Sequence, residues 1–491
     1  KLNKETKEIL RELINCVRVR RFTFEFDEDF EPVEAVQDML RNLGIYDITP
    51  KVQGLMESVE EEEDGSFSDV AKNTKDICTL CNELLYWCTI GNAANQEILF
   101  ENLGDFLESL DDEINSHHVV KAILRGNEGL MNVVSHDLLN TMVTNIVNEG
   151  HKHQYLALAS SITHVGEKNI PKNQFEIIRG LCNPERLDET AVFLVSVDHD
   201  DYYEKKRLMA PFKESQDVDI DSLPPLLAYH LQYLEVLSNC TSGKINISAV
   251  EAKVQSIFGL KDIIEAILDE DTILVAKIRL SQFLLNSIID VDMALPGLCE
   301  SKYMWNLIES YVETLNFAKD EIRRVEKLGW ESPEVSRHRI EYIITTILTI
   351  GSFFDKNYNA EKIRNDDGTS SEDRVQLSMI RINELIRMLY DRIFEVYDLD
   401  TPRLTTEVKG RMYDALVALN KSASAIIVTH IEPIHLNSAG VDEEEPDPDD
   451  VHEQAILEKY KEFVNELNGD EDVQENAKKQ VDNFLELIEE I

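Results

Sequence analysis

Apolar residues recur along the chain at helical spacing. Leu139, Met142, Val143, Ile146 and Val147 fall on one face at three- and four-residue intervals. Ile273, Ala276, Leu280, Phe283, Leu284 and Ile288 repeat the pattern, as do Leu227, Leu231, Leu234 and Leu237. Trp305 sits in the same kind of run, between Met304 and the pair Leu307 and Ile308, and is expected in a core. Ser332-Pro333-Glu334 offers a capping hydroxyl, then proline at a first helical position, then an acid near the positive helix end, so a helix start is predicted there. Thr401-Pro402 repeats the cap-plus-proline device. The one candidate strand is Arg20 to Phe26.

This pattern predicts an all-α fold. Many amphipathic helices cannot all bury their stripes in one bundle, but stacked as pairs or triplets they form an α-solenoid. No fixed sequence period accompanies it. Three acidic stretches interrupt the helices and are expected as solvated loops: Glu57 to Asp69, Arg364 to Arg374, and Ser438 to Glu453. The last is the best linker, followed by two expected helices, about Glu453 to Leu467 and Val473 to Ile491.

Composition narrows the partners. The chain of 491 residues is 43% hydrophobic and 29% charged, a globular balance and not a disordered one. Only 19 Gly and 13 Pro interrupt it, which favours long helices. Its net charge of −45 repels phosphate backbones and anionic membranes, so no nucleic acid partner and no direct membrane insertion are expected; cations and basic protein surfaces fit better. The longest apolar window, Ile343 to Phe354, is too short to span a bilayer, and Lys1 to Glu12 has no signal-peptide core. A soluble piece facing the cytosol is expected. Lys1 opens the chain without a methionine, as a fragment or a processed product would. Seven scattered cysteines suit a reducing compartment.

Candidate chemistry is sparse. Cys78-x-x-Cys81, with Cys88 beyond, lacks the two further ligands that zinc needs, and these thiols are expected to face a core. His452-Glu453 starts like a zincin motif, but Ile456 stands where the second histidine should be. Asp442 to Glu453 has the length of a calcium loop, yet Asp447 replaces the glycine of the sharp turn, and Pro446 and Pro448 stiffen it. His117-His118 and His151 with His153 are expected as surface histidines, and His230 as a packing residue. No phosphate loop and no nucleophile motif is present, so no catalytic, cofactor or metal residue is assigned and no enzymatic activity is expected.

Five segments in order resemble the central modulatory region of inositol 1,4,5-trisphosphate receptors, the helical domain shared with ryanodine receptors. They are Gly91-Asn92-Ala93-Ala94-Asn95-Gln96 on through Leu99 to Phe106; Gln154 to Gln174; Tyr229 to Leu237 with Thr241 to Lys244; Glu251 to Asp292; and Ser301-Lys302-Tyr303-Met304-Trp305-Asn306-Leu307. The similarity covers about Leu10 to Val312 and continues faintly through Arg339 to Phe354 and Tyr413 to Glu432. The third to fifth segments are more similar to the inositol trisphosphate branch. The chain departs from the family pattern in its acidic run Glu60 to Asp64 and its Cys240-Thr241-Ser242 turn.

The resemblance implies armadillo-like helical repeats: an RIH-type solenoid over 1–325, continuing repeats over 326–437, the acidic linker at 438–453 and a C-terminal helical hairpin over 454–491. It implies a regulatory coupling segment of a homotetrameric calcium-release channel, on the cytosolic face of the endoplasmic reticulum membrane, whose partners are the other domains and subunits. The alternative is a freestanding α-solenoid scaffold that binds a basic protein. No cofactor is implied. Calcium is a candidate ligand through Glu108, Asp111 and Asp112, with Glu113 beside them, acids that would share one face of an α-helix but would need a neighbouring domain to complete the shell.

Overall fold

The computed structural model describes residues 2–20, 30–57, 59, 67–112, 114–148, 150, 152–165, 168–195, 202–215, 217–242, 248–291, 295–329, 332, 335–364, 378–399, 404 and 406–423. Thr401-Pro402, the acidic run Glu60 to Asp64, residues 365–377, the linker 438–453 and the hairpin 454–491 lie outside them. The described residues fall into two units, one ending at Val134 and one beginning at Ser135.

The first unit holds α1 (Leu2–Val17), α2 (Glu34–Asn42), α3 (Ile48–Glu57), α4 (Asp69–Thr89), α5 (Ala93–Phe100), α6 (Leu103–Glu108), α7 (Ser116–Leu124) and α8 (Glu128–Val133). The long helix α4 starts cleanly because the Ser68 hydroxyl accepts from the Ala71 amide at 3.1 Å. It packs against α1, α3 and α7, and buries Ile77, Cys78, Cys81, Leu84, Leu85 and Cys88 completely. Burial of each large aliphatic side chain contributes about 1.5–3 kcal/mol. A short antiparallel ribbon joins β1 (Arg18–Arg20) to β2 (Phe30–Pro32), Arg18 opposite Pro32. Of the predicted strand, only Arg20 is described, and it ends β1.

The second unit holds α9 (His136–Asn148), α10 (His153–Ser161), α11 (Pro171–Leu181), α12 (Leu187–Thr190), α13 (Tyr202–Met209), α14 (Pro225–Thr241), α15 (Ser248–Gln255), α16 (Leu260–Leu268), α17 (Leu274–Leu284), α18 (Lys302–Asn316), α19 (Ala318–Leu328), α20 (Arg337–Ser352), α21 (Ala360–Arg364), α22 (Met379–Tyr397) and α23 (Thr406–Ser422). One row runs α10, α14, α17, α20, α23, each packed on the next. A second row runs α16, α18, α22, while α9 packs on α11 and α11 on α14. This is the all-α, stacked-repeat fold that the periodicity predicts: each helix buries its stripe against its neighbours in turn. The stripes Leu139, Met142, Val143, Ile146 and Leu227, Leu231, Leu234, Leu237 are buried, as is the set from Ile273 to Ile288.

One predicted helix start moves. Val335 and Ser336 are not helical, and α20 begins at Arg337, with Ser336 rather than Ser332 as its cap: the Ser336 hydroxyl accepts from the Arg339 amide at 3.2 Å. Pro333 and Glu334 lie outside the described residues. Ser336 lacks the proline and the acid that follow Ser332, and it is held by a long-range partner, Asp217, that no local signal reports.

Candidate functional site: amide latches at the helix ends

The last carbonyls of an α-helix have no partner within it, and a buried one left unpaired costs about 1–3 kcal/mol. Two glutamines each bridge two such carbonyls, and a third reaches one. Gln37, Gln96 and Gln174 each stand at the fourth position of their helix, α2, α5 and α11, and each is buried. The Gln37 amide donates to the Trp87 and Ile90 carbonyls at the end of α4, at 2.8 and 2.9 Å. Gln96 donates to Ala122 and Arg125 at the end of α7, at 2.9 and 2.8 Å. Gln174 donates to Asn239 near the end of α14, at 3.1 Å.

A second amide precedes two of them. Asn95 donates to the Cys88 carbonyl at 2.7 Å, and Asn173 donates to the Ile162 carbonyl at 3.0 Å, so each ties its helix to the end of the helix before. The Arg41 guanidinium donates to Asn95 Oδ1 at 2.7 Å, and the Asn127 amide donates to Gln96 Oε1 at 3.0 Å. Asn92 caps α5, accepting from the Asn95 amide, and the turn before it needs the left-handed backbone of Gly91 (φ 74°). The motif Gly91 to Gln96 is therefore a joint: one short segment fixes the ends of two neighbouring helices and the start of its own.

The second unit has another joint. α17 and α20 both end in a π-turn, Leu285–Ile289 and Phe353–Asn357. The Asn357 amide donates to the Ile289 carbonyl at 2.9 Å, and Lys356 pairs with Asp290 beside it. Trp305 lies against this end. It is 1% exposed, donates its indole N–H to the Cys299 carbonyl at 2.8 Å, and meets Phe353, Phe354 and Tyr358 edge-on with centroids 5.9–6.2 Å away. Its expected core role holds.

The other residues singled out in the sequence scatter. Cys78, Cys81 and Cys88 face the core of the first unit, and burial pushes the Cys81 and Cys88 thiols up. Cys182 is likewise pushed up to about 12 by burial, so none of these is a ready thiolate. His230 is buried and packs as expected, its Nδ1 donating to the Val192 carbonyl at 2.7 Å. His117 and His118 are half-buried and pack on each other at 4.3 Å, more enclosed than surface histidines. His153 Nε2 meets Asp221 Oδ1 at 2.8 Å; His151 lies outside the described residues. Among the described residues no group of three His, Cys, Asp or Glu is placed to hold a metal ion.

Glu108, Asp111 and Asp112 do not lie on one continuous α-helix. α6 ends at Glu108, and Ser109–Asp112 tighten into a 3₁₀ turn that carries the backbone of Asp111 and Asp112. Glu113 lies outside the described residues.

Residues 8–192 match the RIH domain family. Over those residues the chain is similar to the RIH domain, and a larger part of it is similar to an inositol trisphosphate receptor. Inositol 1,4,5-trisphosphate receptor itr-1 of Caenorhabditis elegans is 24% identical over 338 residues, 68% of this chain. The match spans 11% of that receptor's own length. All three glutamine latches fall inside the RIH match. Two of them, Gln96 and Gln174, also fall in segments on which the family resemblance rests. Periodicity does not reveal their role, because their carbonyl partners lie 26 to 65 residues further on.

Proposed function

We propose that the chain is a regulatory coupling segment of an inositol trisphosphate-gated calcium-release channel, relaying ligand binding toward the pore. In this reading it lies on the cytosolic face of the endoplasmic reticulum membrane. Its partners are the other domains and subunits of a homotetramer, and it performs no catalysis. The observation that carries the reading is the likeness to the itr-1 receptor over 68% of the chain. The geometry favours a relay. Rows of packed helices with their ends tied by Gln37, Gln96 and Gln174 pass a small rotation of one helix to the next instead of absorbing it in a loose turn.

The test is made in the complete channel carrying Gln96→Leu and Gln174→Leu together. Inositol trisphosphate binding should persist while calcium release per bound ligand falls. Unchanged release at equal expression overturns the relay. The reading frame on either side separates this reading from a freestanding scaffold: membrane-spanning helices downstream support the channel.

A further inference from the structure

A cavity of about 430 Å³ opens in the first unit between α3, α4, α6 and the turn before α7. Its size suits a small ligand. Two of its lining residues each carry a buried, unsatisfied oxygen. Asn82 is 1% exposed, and its amide nitrogen donates to the Ile114 carbonyl at 2.9 Å and the Ser116 hydroxyl at 3.4 Å. A carbonyl only accepts, so the nitrogen is fixed on that side and Asn82 Oδ1 is left without a partner. Thr49 is 2% exposed, and its hydroxyl has no partner either. Buried polar atoms of this kind call for a partner that the protein does not supply.

The rest of the lining specifies that partner. Asp105 and Glu108, both exposed, bring two carboxylates and no ion pair among the described residues. Val52, Met56, Phe106 and Ile114 supply apolar wall. Water would satisfy the two oxygens alone, whereas a cation would satisfy them and also pair with the carboxylates at the rim. Calcium takes about six to eight oxygens, and the described residues bring no three His, Cys, Asp or Glu together to begin such a shell. We infer that the cavity binds a primary alkylammonium. Its N–H groups are donated to Asn82 Oδ1 and Thr49 Oγ1, its charge is balanced by Asp105 and Glu108, and its aliphatic stem lies on Met56, Phe106 and the neighbouring apolar wall. The chain's net charge of −45 raises the local concentration of any such cation. A lysine side chain of a partner protein and a free aliphatic amine carry the same chemistry.

The probe is pentylammonium chloride, titrated into the whole 491-residue chain by calorimetry and by ligand-observed NMR. Saturable binding at a single site is expected. Tetramethylammonium, which has the charge but no N–H, and pentanol, which has no charge, should bind far more weakly. Thr49→Val and Glu108→Gln should each weaken pentylammonium about tenfold or more, with unchanged helical circular dichroism. Glu108 is exposed, so its variant reads the site even where Thr49→Val disturbs the fold. A one-lysine peptide that outcompetes spermidine assigns the site to a partner side chain, and the reverse order assigns it to a free amine. Absence of saturable binding at millimolar probe overturns the site. So does equal binding of tetramethylammonium, or indifference of folded Glu108→Gln to the probe.

Discussion

Gln96 holds the carbonyl of Arg125, the residue that closes α7, at 2.8 Å, and the Ala122 carbonyl at 2.9 Å. One amide thus satisfies two helix-end acceptors, while its own oxygen accepts from Asn127. Gln96→Leu keeps the volume and removes all three bonds. Each group left unpaired costs about 1–3 kcal/mol, so a loss of at least about 2 kcal/mol is expected. Urea unfolding followed by circular dichroism reads it. A loss below about 0.5 kcal/mol, the range of ordinary surface substitutions, would mean that these bonds exchange freely with water.

Asp217 closes the start of α20 from 120 residues away. Its carboxylate accepts from the Ser336 hydroxyl at 2.8 Å and from the Arg337 and His338 amides at 3.1 and 3.0 Å. His338 Nδ1 in turn accepts from the Val218 amide at 3.4 Å, a bond that only the unprotonated nitrogen makes. Burial lowers the His338 pKa. Arg279 also lowers it, and Asp217 and Asp219 pull the other way without prevailing. The folded state therefore binds fewer protons at this site than the unfolded state. Its stabilising contribution is present above about pH 6.5 and is lost as pH falls through the lowered pKa. The unfolding midpoint should drop as pH falls below about 6.5, and His338→Gln should flatten that drop. Identical slopes in the two proteins would rule His338 out as the titrating group.

The helices and their buried faces were legible because a packed helix must repeat its apolar residues at 3.6, and Leu227 to Leu237 or Ile273 to Leu284 do so locally. The joints were not. Gln37 and Asp217 serve carbonyls and amides 50 to 121 residues distant, and nothing in their local spacing reports such partners. For the same reason the helix start expected at Ser332 falls at Ser336 instead. The candidate calcium face at Glu108, Asp111 and Asp112 assumed α-helical geometry through a segment that tightens to a 3₁₀ turn. The cavity beside it was invisible, since Thr49 and Asn82 come together only when α3 docks on α4.

Trp305→Ala should destabilise by about 3–5 kcal/mol, the range for deleting a large buried aromatic. The loss combines the contacts with Phe353, Phe354 and Tyr358 and the hydrogen bond to the Cys299 carbonyl. Trp305→Phe keeps part of the packing and loses the donor, so it should fall between. Equal denaturant midpoints for Trp305→Phe and the parent chain would show that the indole hydrogen bond contributes nothing measurable.

Gly351 sits near the end of α20, where helix propensity alone favours alanine by about 0.8–1 kcal/mol. The packing predicts the opposite sign. A Cβ at Gly351 would stand 2.8 Å from the Ala415 Cβ and 3.1 Å from its Cα on α23. Those atoms are helix backbone and its first side-chain carbon, so no rotamer change relieves the contact. α20 and α23 would have to part, loosening the last step of the row. Overpacking of this kind costs about 1–3 kcal/mol, which outweighs the propensity gain. Gly351→Ala should therefore destabilise the chain, and Ala415→Gly in the same molecule should recover part of the loss by vacating the Cβ position. The double-mutant cycle should give a favourable coupling of about 0.5 kcal/mol or more between the two sites. A Gly351→Ala chain more stable than its parent would mean that the two helices separate at little cost there.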